Sequence, residues 1–136
     1  HLAAAIGNYR ADLGEDVIFI VVPDLLDELR ATFSPNSPVP MSRHFDLLRT
    51  CPLLILDDLG TQSSTPWARE KLYQLFNHRY MARLPTVITT SSFKEEMDAR
   101  LLSRMEDARL SIIQPITAPS YRGSSKKATR APRKSR

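Results

Sequence analysis

The octet LLILDDLG, Leu53 to Gly60, places two carboxylates, Asp57 and Asp58, directly after four bulky aliphatic residues. Two readings are open. Either a strand simply reaches solvent there, or it delivers two acids to a site that takes positive charge. The chemistry of the second reading is specific. A hard cation such as Mg²⁺ takes oxygen ligands, and a second carboxylate one residue on is able to orient or deprotonate a water. Further along, Thr89, Thr90 and Ser91 form a run of hydroxyls at the end of PTVITTS. Arg100 and Arg104 stand four residues apart in ARLLSRMED, on one face of a helix. His44 and His78 lie on helical stretches without partners at metal spacing, and read as structural or surface residues. Cys51 is the sole cysteine, so neither an internal disulfide nor a cysteine-based zinc cluster can form; it reads as a small buried thiol.

Side chains of these kinds do chemistry only where the backbone brings them together. HLAAAIGNYRADLG carries Leu2, Ile6, Tyr9 and Leu13 at spacings of three and four, which predicts a helix stopped by Gly14. DVIFIVVPD, Asp16 to Asp24, is a β-branched apolar run dense enough for a strand buried on both faces. PDLLDELRATF follows as a helix with Leu25, Leu26 and Leu29 inward, and the prolines of SPNSPVP, Ser34 to Pro40, exclude regular structure. SRHFDLLRT is a short helix leading into a strand over 53–57. TPWAREKLYQLFNHRYMARL, Thr65 to Leu84, is the clearest helix, with Thr65 at the N-cap, Pro66 in the first turn, and Trp67, Leu72, Leu75, Phe76 and Tyr80 as apolar positions. PTVITTS is a second buried strand, KEEMDARLLSRMEDARL a helix acidic early and basic late, and SIIQPI a last short strand. Alternation at this interval predicts a parallel α/β sheet with helices on both faces. Ligands of such sheets bind beyond the carboxyl ends of the strands, where Asp57 and Asp58 stand.

A chain of 136 residues has room for one domain with a real core. At 42% hydrophobic and 25% charged residues it reads as soluble and globular, and no apolar run approaches the ~20 residues that cross a bilayer, so no membrane partner is expected. The net charge of +4 is unevenly placed: residues 1–122 hold 13 Lys and Arg against 15 Asp and Glu, a balance of −2, whereas residues 123–136 hold six bases and no acid. The reading is a mildly acidic globule with a basic disordered tail, 123–136, able at most to touch a nucleic-acid backbone without sequence preference.

Four aliphatics, two acids and a small residue are also the pattern of a Walker B strand. Together with the HLAAAIGN opening, LLILDDLG, TPWAREKLYQLFNHRYMARLPTVITTS and RLLSRMED resemble the DnaC/IstB family of AAA+ ATPases, the helicase loaders and their transposition relatives. The resemblance covers residues 1 to about 122, and its most family-specific part runs from Trp67 to Ser91. It implies a P-loop NTPase of the AAA+ type, a three-layer α/β/α core around a parallel sheet. It implies that Asp57 associates with Mg²⁺, partly through water, and that Asp58 is the catalytic acid. Arg104 is then an arginine finger reaching a neighbouring subunit of a homo-oligomer, with Arg100 as the alternative. The sensor 1 position falls on Ser91, where the family usually carries Asn, with Thr90 as a partial substitute.

In the family, the HLAAAI-like stretch follows the Walker A loop, GxxGxGKT, that cradles the phosphates. By that resemblance the chain starts one residue after the motif, lacks the first strand and the P-loop, and is expected to be a fragment that does not bind ATP appreciably alone. In the intact parent the implied activity is ATP hydrolysis with ATP and Mg²⁺, in placing a replicative helicase on single-stranded DNA in the cytoplasm. The alternatives are an IstB-like helper with a transposase as partner, and a non-catalytic interaction fragment.

Overall fold

A computed structural model describes residues 1–31, 41–60, 65–91 and 97–118. Three parallel strands, β1 (Val17–Val21), β2 (Leu53–Leu59) and β3 (Thr86–Thr90), lie in the order β1-β2-β3. Helix α1 (Leu2–Asp12) precedes β1, α2 (Val22–Ala31) and α3 (Met41–Thr50) lie between β1 and β2, α4 (Pro66–Met81) joins β2 to β3, and α5 (Ala99–Met105) follows β3. The strand at the centre carries the octet LLILDDLG. Leu53 to Leu56 are each at most 3% exposed, because among the described strands this one has a neighbour on both sides.

The two faces of the sheet are covered differently. Leu54 and Leu56 pack with Leu25, Leu26 and Leu29 of α2, Leu48 of α3, Leu72, Leu75 and Phe76 of α4, and Leu101 of α5 in the main core. On the other face Leu53 and Ile55 meet Ala3 of α1, with Val17 and Val87 beside them. Gly7 also belongs to this contact: a methyl group there would lie 2.9 Å from Cδ1 of Ile55, so the helix approaches the sheet through its small residues. This corrects the stripe expected on α1. Leu2, Ile6, Tyr9 and Leu13 are exposed, and Ala3 and Gly7 are buried. The stop is as expected, with Gly14 at φ 85°.

Other expectations shift in detail. β1 and β3 are half-buried rather than enclosed, since each flanks the described sheet on one side, and Phe19 is exposed. α4 has the expected cap, Thr65 Oγ1 accepting from the N–H of Ala68 at 3.2 Å, and ends at Met81 with Arg83 at φ 54°. The helix after β3 is shorter than the sequence suggested: Asp98 caps it through the N–H of Arg100, and it closes at Met105. SIIQPI forms no strand, and Ile112, Ile113 and Ile116 stay exposed. A strand exists only where a neighbouring strand takes its backbone hydrogen bonds, and this segment has none among the described residues. The proline-rich 34–40 segment and the 123–136 tail lie outside the described residues. Among those residues no helix is long and apolar enough to cross a membrane.

Candidate functional site

The acids sit in a β-bulge. Leu56 pairs with Ile88 and Leu59 with Thr90, so Asp57 and Asp58 together oppose the single residue Thr89. The extra residue settles the chemistry of the strand end. Strict alternation from Leu54 and Leu56 would send Asp58 into the main core. The bulge gives that place to Leu59, 3% exposed, and leaves Asp58 exposed and Asp57 half-buried at the carboxyl end of the central strand. Asp58 takes φ 59°, in the left-handed region that a short polar side chain tolerates better than most.

One hydroxyl spans both acids. Thr89 Oγ1 donates to Asp57 Oδ1 at 2.6 Å and accepts from the backbone N–H of Asp58 at 2.9 Å. The neighbouring Thr90 Oγ1 donates to the carbonyl oxygen of Leu59, closing the far side of the bulge. Ser91 follows β3 directly and is exposed at the same end of the sheet. Two carboxylates off one strand end, one steadied by a hydroxyl through a single oxygen, are a hard-oxygen set suited to Mg²⁺ with water completing its shell. Described residues contain no larger cluster of metal-ligating side chains.

The two arginines are elsewhere. Arg104 reaches from α5 to α4: Nε and Nη2 donate to Asn77 Oδ1 at 3.1 and 2.7 Å, Nη2 also to Tyr73 Oη at 3.1 Å, and Nη1 to the carbonyl of Arg100 at 2.9 Å. Arg100 lies over the ring of Tyr73, 4.1 Å from its centroid, and pairs with Asp98 and Glu70 at 3.1 and 3.3 Å. All these contacts run within α4 and α5 and none reaches Asp57 or Asp58. The sequence reading set the two acids and the hydroxyl run at strand ends, and the structure brings them to one end of the sheet with the arginines on a separate face. It passed over Thr89 as a partner of the acids, and Asn77 and Tyr73 as anchors of Arg104. Strand register determines the first, and no local pattern encodes it. The spacing of Tyr73 and Asn77, four residues apart on α4, was a signal for the second.

The remaining singled-out residues are structural. His44 Nε2 lies 3.1 Å from Glu28, and His78 Nδ1 lies 2.9 Å from Arg49 Nη2. Phe76 is buried in the main core, Trp67 packs against it with Arg30 over its ring, and Cys51 is buried with its thiol near the carbonyls of Leu48 and Leu53.

A parallel sheet lies against helices on both faces, with paired acids at the end of its central strand. Solved structures share this fold: a DNA replication initiation factor (TM-score 0.68, 21% identity, covering 78% of this chain and 33% of that one) and the DnaC helicase loader (TM-score 0.58, 22% identity, 73% and 60%). The model of the IstB-like ATP binding protein family matches residues 1–121, and the chain belongs to that family. The replicative helicase loader DnaC of Escherichia coli (strain K12) is 32% identical over 107 residues, 79% of this chain and 43% of the relative. The chromosomal replication initiator protein DnaA of Wolinella succinogenes is 29% identical over 118 residues, 85% of this chain and 26% of the relative. The chain thus spans less than half the length of either relative.

Proposed function

We propose that this chain is part of the ATPase core of a helicase-loader protein acting in DNA replication. The similarity to DnaC over 79% of the chain carries the reading, and the position of the acid pair at the end of the central strand supports it. Asp57 would hold Mg²⁺, partly through water, and the chemistry the ion would supply is neutralisation of phosphate charge. Asp58 would orient the attacking water and take its proton as the water oxygen bonds to the terminal phosphorus of ATP and the bond from that phosphorus to the bridging oxygen breaks, releasing ADP and phosphate. Ser91, with Thr90 as a partial substitute, is the hydroxyl that would contact the terminal phosphate. Arg104 supplies positive charge to the site of a neighbouring copy, with Arg100 as the alternative. The partners are a replicative helicase and single-stranded DNA, in the cytoplasm. The family's IstB-like description favours a second reading, a helper of a transposase, with the same ATP chemistry.

The test uses the product of the complete reading frame. ATP hydrolysis is measured for wild type and Asp58→Asn, and association is assayed with the host's replicative helicase and with any transposase encoded beside the gene. Hydrolysis that Asp58→Asn lowers at least about 100-fold, with nucleotide binding kept, supports the assignment. Turnover by Asp58→Asn near wild type refutes it. Association with the transposase alone decides for the second reading.

A further inference from the structure

We propose that Thr89 is the positioning residue for both acids, a role distinct from the phosphate-sensing position assigned to Ser91 and Thr90. The inference rests on the ATPase reading above. A hydroxyl has one hydrogen to give. At Thr89 it goes to Asp57 Oδ1, 2.6 Å away, and a lone pair on the oxygen accepts the Asp58 N–H at 2.9 Å. The two bonds are thereby coupled. Fixing the rotor toward Asp57 sets the direction from which the Asp58 amide is received, and that amide belongs to the residue held at φ 59°.

Each bond has a chemical consequence. The first holds the Asp57 carboxylate by one oxygen, Oδ1. The second stabilises the left-handed turn that keeps Asp58 out of the core and beside Asp57. Without the hydroxyl, Asp57 would be free to rotate and the bulge would lose the bond that spans its extra residue. The geometry is that of outer partners around metal-binding carboxylates, whose removal typically costs 10–100-fold in metal affinity or activity. The methyl of Thr89 contributes to neither bond, so serine should serve and valine, of nearly the same shape, should not.

Thr89→Val and Thr89→Ser separate this role from packing. In the complete reading-frame product, the Mg²⁺ concentration for half-maximal binding of the non-hydrolysable analogue AMPPCP should rise about 10–100-fold in Thr89→Val and stay within about threefold in Thr89→Ser. In the 136-residue chain, hydrogen exchange at the Asp58 amide should accelerate in Thr89→Val and remain slow in Thr89→Ser. A Thr89→Val protein with unchanged Mg²⁺ dependence, or with unchanged exchange at Asp58, overturns the proposal. Wild type that binds no AMPPCP, while Thr89→Val alone speeds exchange at Asp58, overturns the ATPase reading and keeps the coupling of the two bonds.

Discussion

Arg79 Nη1 donates to the carbonyl oxygen of Cys51 at 2.9 Å, from the last turn of α4 to the residue that leads into β2. The same guanidinium reaches the carbonyls of Leu48 at 2.9 Å and Pro85 at 2.6 Å, and the hydroxyl of Thr86 at 2.8 Å. One side chain, 1% exposed, thus ties the end of α3 and the starts of β2 and β3 together. No carboxylate among the described residues pairs with it. Burial depresses its pKa, and the adjacent Cys51 acts in the opposite direction. The balance is met by carbonyl dipoles.

Removing Arg79 leaves several buried carbonyls without donors, each at a cost of about 1–3 kcal/mol. Arg79→Ala is therefore expected to lower stability by at least about 2 kcal/mol in chemical denaturation. Arg79→Lys should recover part of that, since an ammonium has fewer donors in a tighter geometry. A loss below about 0.5 kcal/mol in Arg79→Ala, the scale of an ordinary surface change, would sink the idea that this residue is a structural tie.

Asp107 supplies a pH dependence. Nε and Nη2 of Arg109 and the hydroxyl of Tyr80 all donate to its carboxylate, with Arg109 the larger influence, and hold its pKa well below the usual carboxylate range. A carboxyl whose folded pKa is depressed stabilises the fold fully above its unfolded value near ~4, and the contribution fades as pH falls below that. Asp107→Asn should therefore show a shallower fall in thermal midpoint between about pH 5 and 2 than wild type. Parallel curves for the two proteins would show that the Tyr80–Asp107–Arg109 contact does not couple to folding.

The alternation of apolar runs with amphipathic stretches made the α/β class, the strand beginning at Leu53 and the capped α4 legible in the sequence. The pattern at 53–59 also showed where the acids would emerge. What it could not show was set by long-range pairing. Apolar periodicity in α1 marked Leu2, Ile6, Tyr9 and Leu13, yet the sheet takes Ala3 and Gly7, since a helix lying close over Ile55 needs small residues there. The apolarity of SIIQPI suggested a strand, but strand formation depends on a partner rather than on composition. Arg79, within HRYMAR, was not singled out in the sequence. Only its place three residues after Phe76 and four after Leu75, on the core face of α4, hinted otherwise. The bulge at Asp57 and Asp58 depends on register with β3, which is a property of two strands together.

The last prediction concerns Arg104. Four of its five N–H groups are engaged by Asn77, Tyr73 and the Arg100 carbonyl, and its guanidinium lies over the ring of Tyr73 at 4.8 Å. This guanidinium is held on α4, away from the acids of its own chain, and on the reading proposed above it would meet charge presented by another copy. An arginine supplied in this way to a transferring phosphoryl group is worth ~10³–10⁵ in rate in GTPases. In the complete reading-frame product, Arg104→Ala should cut hydrolysis at least about tenfold while nucleotide affinity of the monomer stays within about twofold. Mixing is decisive. Arg104→Ala has a sound pocket and no finger, and Asp58→Asn has a finger and no catalytic acid. Some interfaces in a mixed assembly pair the sound pocket with the sound finger, so the mixture should regain part of the activity that either protein lacks. Arg100→Ala, measured in parallel, tests the alternative assignment, because Arg100 is committed to Asp98 and Glu70 rather than to Asn77. Should the mixture remain as inactive as its components while the two proteins co-assemble, Arg104 does not act across the interface.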